Sequence, residues 1–89
     1  MDKPPARPLN LRLQAIDPAR NIARGYAIHA AIDLFGHWIV DLHWGRVGTR
    51  GQGRKLSFAL EQDAARFVRS TLARRASATR RIGVGYAEV

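Results

Sequence analysis

At 89 residues with no cysteine, the chain allows one small core and excludes a disulfide framework, a thiolate metal site and a cysteine nucleophile. Its formal net charge of +8, with 13 of 15 basic residues arginine, points to a polyanionic partner. An Ala- and Arg-rich genome would give the same bias without any function. No apolar run approaches the roughly 20 residues that span a bilayer, so no membrane role is expected.

The first eight residues, MDKPPARP, are charged and proline-rich and lack the apolar stretch of a secretory signal. They read as a flexible lead-in to a cytoplasmic protein, nucleoid-associated if it binds DNA. Strict alternation then begins, with Leu9, Leu11, Leu13 and Ala15 on one face and Asn10, Arg12 and Gln14 on the other. That is the period of a half-buried strand. Asp17 and Pro18 end it, and residues 17–24 read as a loop carrying Arg20, Asn21 and Arg24.

Tyr26 to Asp33 and His37 to Trp44 are two apolar runs joined by Leu34-Phe35-Gly36, a connection that suits a hairpin with glycine at positive φ. Closing the hairpin at Asp33 and His37 sets Tyr26 against Trp44, Ile28 against Leu42, Ala30 against Val40 and Ile32 against Trp38. These pairs define the core face. The other face sets His29 against Asp41, Ala31 against Ile39 and Ala27 against His43, a mixed and wet surface. A slip of one residue would scramble both faces, so the pattern itself fixes the register.

Residues 45–55, GRVGTRGQGRK, read as a loop of four glycines and four cations. Leu56, Phe58 and Leu60 alternate, giving a fourth strand from about Arg54. From Glu61 the period becomes helical: Ala64, Phe67, Val68, Thr71 and Leu72 share a stripe, while Arg66, Arg69 and Arg74 face out. Glu61 and Asp63 suit the first turn, and Arg74 and Arg75 the last. Residues 76–83 read as a polar link, and residues 84–89 can add a short fifth strand. The class is α+β: a twisted antiparallel sheet of four to five strands with one amphipathic helix packed on one face.

Three features could carry chemistry. Backbone amides near the glycines can cradle an anion, with Arg46, Arg50, Arg54 and Lys55 around them. The spacing of Gly48 and Gly53 is not a P-loop, because Arg54-Lys55-Leu56 stands where Lys-Ser/Thr is required and a strand follows. Trp44, beside this segment, can pack on a sugar or base, or it can cap the core against Tyr26; the sequence leaves both open. His29, Asp41 and His43 could offer metal ligands, but cross-strand polar pairs are the commoner meaning of such a pattern. No metal, cofactor or small-molecule substrate is expected. With neither paired carboxylates in a cleft nor a Ser–His–Asp geometry, no enzyme is expected either.

Trp44-Gly45-Arg46-Val47-Gly48, followed by Gly51-Gln52, resembles the signature of the WGR domain family. The resemblance extends through Asn21, Tyr26, Leu34-Phe35-Gly36, Phe58, Ala64 and Gly85-Tyr86, and so covers residues 9–89. It implies a free-standing bacterial WGR protein with a twisted antiparallel sheet and one packed helix. It also implies DNA recognition of the kind found in DNA-dependent poly(ADP-ribose) polymerases. In those enzymes the domain binds breaks, the motif tryptophan packs on a terminal nucleotide and the motif arginine makes polar contacts nearby. Those roles fall on Trp44 and Arg46, with Gly45 between them, and an asparagine role falls on Asn21. Gly25 stands where an aromatic usually precedes Tyr26, and no ADP-ribosyl-transfer domain accompanies the motif. The expected function is a non-catalytic nucleic-acid binding module for DNA backbone and ends or breaks, acting through Asn21, Trp44, Gly45, Arg46, Arg50, Arg54 and Lys55. The alternative is a protein–protein adaptor using the face of His29, Asp41 and Ile39 or the arginine-rich helix.

Overall fold

The computed structural model describes residues 9–77 and 83–89. The lead-in read at residues 1–8 and the middle of the polar link, residues 78–82, lie outside the described residues. The elements run β1 (Leu9–Asp17), β2 (Ile22–Ile32), β3 (Trp38–Arg46), β4 (Gln52–Phe58), α1 (Glu61–Ala76) and β5 (Ala87–Glu88), with a single 3₁₀ turn at Pro18–Arg20. They form an antiparallel five-stranded sheet in the order β4-β3-β2-β1-β5, with the helix on one face.

The central pairing has the register expected from the apolar pattern. Tyr26 lies opposite Trp44, Ile28 opposite Leu42, Ala30 opposite Val40 and Ile32 opposite Trp38. β1 adds its own apolar face in step, with Leu11 opposite Ile28 and Leu13 opposite Tyr26. Ile28 and Val40 are fully buried at 0% exposure, and Tyr26, Ala30, Trp38, Leu42 and Ala64 complete the core. From the helix, Phe67, Val68 and Leu72 pack on this cluster, and Phe67 meets Phe58 with ring centroids 5.5 Å apart. Burying this stripe, rather than helix propensity, is what holds a 16-residue helix in place.

Four expectations are corrected. The loop read at 17–24 is mostly ordered: a salt bridge from Arg20 Nε to Asp17 Oδ2 (2.7 Å) tightens the turn, Asn21 takes φ +55°, and β2 has begun by Ile22. The loop read at 45–55 shrinks to Val47–Gly51, because glycine in the flanking strands costs less than the ladder bonds gained on both sides. β4 therefore starts at Gln52 and stops at Phe58; Leu60 is no strand residue but the residue before the helix, 53% exposed. Ile32 sits beyond the helix's cover and is 55% exposed, so it is outside the core that its pairing suggested.

The β2–β3 turn is pinned by one side chain. Asp33 N donates to the His37 carbonyl (2.8 Å), while Asp33 Oδ1 accepts from the Phe35 N–H (2.8 Å) and the His37 N–H (2.9 Å). Gly36 supplies the positive φ of +82° that closes the turn. The His37 amide is the main reason that the Asp33 carboxyl is held below its ordinary value of 3.8, with the Phe35 amide helping and desolvation opposing. A depressed folded-state pKa gives stability that is present above 3.8 and lost as the pH falls through the folded value. Asp33→Asn should therefore lose less of its stability than the parent on acidification below pH 3.8, measured by urea midpoints at neutral and acid pH. Equal losses would show that the carboxylate does not hold the turn.

Candidate nucleic-acid interface

Alternation along the central hairpin does more than build the core. Continuing past Tyr26 and Trp44, the same ladder pairs Arg24 with Arg46 on the helix-covered side, at the end of the sheet remote from the Asp33 turn. Two like charges placed opposite each other repel unless something else engages them. Arg46 is engaged by Asn21: its Nη2 donates to Asn21 Oδ1 (2.8 Å) and its Nη1 to the Asn21 carbonyl (3.3 Å). The left-handed backbone at Asn21 turns both acceptors toward the arginine, a conformation that asparagine tolerates better than most residues. The arginine is thereby aimed at one place while remaining exposed.

Trp44 caps the core and keeps part of its ring exposed. Its ring stacks beside Tyr26, centroids 6.3 Å apart and planes 19° from parallel, so it contributes to the core. It is only partly buried and also lines an open hollow of ≈ 450 Å³ with Asn21, Arg24, Arg46, Arg75 and Tyr86.

Arg75 closes the hollow from the helix. Its guanidinium carbon lies 4.5 Å from the Tyr26 ring centroid and 5.9 Å from that of Tyr86, in range for cation–π contact. Its Nε is enclosed without a hydrogen-bond partner among the described residues. Burial raises the Tyr26 phenol above its ordinary 10.0, and the nearby charge of Arg75 offsets part of that rise.

The remaining site residues do not converge. Arg54 pairs with Leu42 and so projects on the helix side of the edge strand, whereas Lys55 pairs with Asp41 and projects on the opposite side. There its Nζ lies 3.9 Å from Asp41 Oδ1, an exposed ion pair of small energetic weight. Arg50 is the one cation left in the Val47–Gly51 loop, and with Trp44, Gly45 and Arg46 it lines a second groove of ≈ 330 Å³ that opens on the other face. That groove is floored by Gly25, Ala27 and Gly45 and flanked by Arg12 and His43. The basic segment expected as one surface is thus divided between two faces of the sheet. His29 faces Asp41 as expected, and among the described residues no group of three acidic or histidine side chains is placed to hold a metal.

Arg24, Arg75 and Tyr86 are the members of this corner that the motif alone did not name as binding residues. Two of them carried a signal: Arg24 is two residues before Tyr26 on one strand face, and Arg75 continues the buried helical stripe of Ala64, Val68 and Thr71. The WGR-type segment itself is held by close backbone packing. Val47 N donates to the Ala23 carbonyl (2.8 Å), and Thr49 returns to the Arg46 carbonyl through both its N–H (3.0 Å) and its hydroxyl (2.7 Å).

A family model described as the WGR domain matches residues 9–80. The chain belongs to the WGR domain family. WGR is a nucleic-acid-binding, non-catalytic domain type. Among curated proteins, the WGR chain is similar to the uncharacterized protein y4dW of Sinorhizobium fredii (strain NBRC 101917 / NGR234), 41% identical over 61 residues. That match takes in 68% of this chain but 30% of the length of y4dW, so the chain spans under a third of that relative. No solved structure matches. No helix among the described residues is long and apolar enough to cross a membrane.

Gly45 of the WGR motif and Gly51 after it are steric requirements. Gly51 has φ +68°, and a Cβ there would collide with the Trp44 carbonyl oxygen; a Cβ on Gly45 would lie 2.6 Å from Gly51 Cα. Gly51→Ala should lower the thermal midpoint and loosen the corner, read as loss of the Arg46–Asn21 contact by side-chain NMR. A Gly51→Ala protein with the parent's midpoint and spectra would contradict this packing.

Proposed function

We propose that this WGR domain binds DNA at the corner formed by Trp44, Gly45, Arg46 and Asn21, joined by Arg24 and Arg75, and prefers ends or breaks to continuous duplex. The observation that carries the proposal is the convergence of three guanidinium groups on a partly exposed tryptophan in one open hollow. A structural role alone does not call for this, since Arg24 and Arg46 stand opposite each other and neutral Asn21 engages Arg46 without cancelling either charge. Phosphate oxygens neutralise both arginines, because a guanidinium binds them through paired N–H donors. Trp44 has Tyr26 beside one ring face, so a base can pack on its remaining exposed surface only where the duplex is interrupted. The family membership supports the same reading.

Arg54 extends the corner's positive field on the same side, while Arg50 and Lys55 act as outlying phosphate contacts on the far side. Lys55 is the weaker of these, because binding through it competes with Asp41.

Each phosphate neutralised releases condensed counterions, so the slope of log affinity against log salt reports how many contacts are made. Neutralising Arg24 and Arg46 together, as Arg24→Gln/Arg46→Gln, should reduce that slope by about 1.8 units on a short linear duplex. Lys55→Gln should reduce it by less than either corner arginine alone. A double variant with the parent's slope would remove the corner from the binding surface.

A further inference from the structure

The opposite end of the sheet has the reverse character. Leu34 is 99% exposed and Phe35 84% exposed, and Ile32 and Leu60 lie at the same end of the sheet, more than half exposed. Asp33 pins the turn beneath them, so the two tip side chains stand out from a fixed backbone rather than a loose one. Beside the tip, on the helix-covered side, is a hollow of ≈ 300 Å³ whose lining is mostly apolar: Leu9, Ala30, Trp38, Ala64, Ala65 and Val68. Its rim carries one acid, Glu61, and one base, Arg69.

We propose that this end is the interface with a second copy of the chain, the Leu34–Phe35 tip of each copy seated in the apolar hollow of the other. One molecule carries both the projecting and the receiving surface at one end, which is what a two-fold, self-complementary interface requires. Charge favours this end as well: Asp33, Glu61 and Asp63 balance Arg66 and Arg69 here, while Arg24, Arg46 and Arg75 gather at the far end, so two chains of net charge +8 repel less in this orientation than through their basic corners. With its charges balanced and its lining apolar, this end offers an anionic membrane or a nucleic acid less than the basic corner does. A pre-ordered apolar tip loses little conformational freedom on docking, which favours association. If the DNA reading holds, the dimer presents two basic corners facing away from each other and binds DNA bivalently; the interface itself does not depend on that reading.

The test is sedimentation equilibrium on the full chain without DNA, from low micromolar to high protein concentration. It compares the parent, a tip variant (Leu34→Ser/Phe35→Ser), a hollow variant (Ala65→Arg) and an equimolar mixture of the two variants. Both variants change partly or fully exposed positions, and thermal melts confirm that each is folded. The expected result is a parent of doubled mass, with each variant weakened about tenfold or more in association, roughly 1.4 kcal/mol. The mixture should associate more tightly than either variant alone, because the heterodimer keeps one intact tip-in-hollow contact where each variant's own dimer keeps none. A parent that stays monomeric throughout overturns the proposal, including the case in which it binds neutral lipid vesicles through the tip instead. A folded variant that associates as tightly as the parent overturns it too, as does a mixture no tighter than its components.

Discussion

The ladder between β2 and β3 is the constraint on which the rest of the molecule depends. Its register turns a simple alternation of apolar residues into a surface for the helix, with Ile28 and Val40 excluded from water completely. Because side chains alternate strictly across a strand, the same register also decides where Arg24 and Arg46 point. Core and corner are one continuous face, and a one-residue slip would destroy both. Tyr26 and Trp44 mark the join: their stacked rings close the core on one side and wall the open hollow on the other. In a chain of this size no residues are spare, so a binding surface must be built from the edge of the core itself.

Most of the fold was legible in the sequence because the apolar pairs of the hairpin are mutually consistent at one register only. The helix was legible for the same reason, its stripe of Ala64, Phe67, Val68, Thr71 and Leu72 meeting that face. What was not legible were strand limits in glycine- and arginine-rich sequence. Gly45, Gly53 and Arg54 look like loop residues by composition, yet pairing with β2 on one side and within β3–β4 on the other draws them into strands. Local propensity loses to ladder hydrogen bonds where a neighbouring strand is already in place.

The candidate site was legible in part. The motif pointed to Trp44, Arg46 and Asn21, and these come together, but it offered no means of dividing Arg54 from Lys55. That division follows from strand parity, once the alternation of Leu56 and Phe58 is carried back through Arg54. Arg75 lay on the helical stripe but was passed over, because an arginine in the last helical turn is ordinarily explained by the helix dipole and solvent. Its position over Tyr26 needs the tertiary contact between α1 and the sheet. The two ends of the sheet thus contrast, cations and aromatic rings at one and apolar side chains at the other.

The central claim is that Trp44 belongs to a corner that reads interrupted DNA, and competition between DNA forms tests it most directly. Linear or nicked duplex and covalently closed circles of the same sequence would compete for the parent and for Trp44→Leu, with circular dichroism establishing that the variant is folded. Linear and nicked forms should win against the parent, and the preference should fall by the equivalent of about 1–3 kcal/mol of lost stacking in the variant. A folded Trp44→Leu protein that prefers ends as strongly as the parent, or a parent that binds circles equally well, would contradict the account.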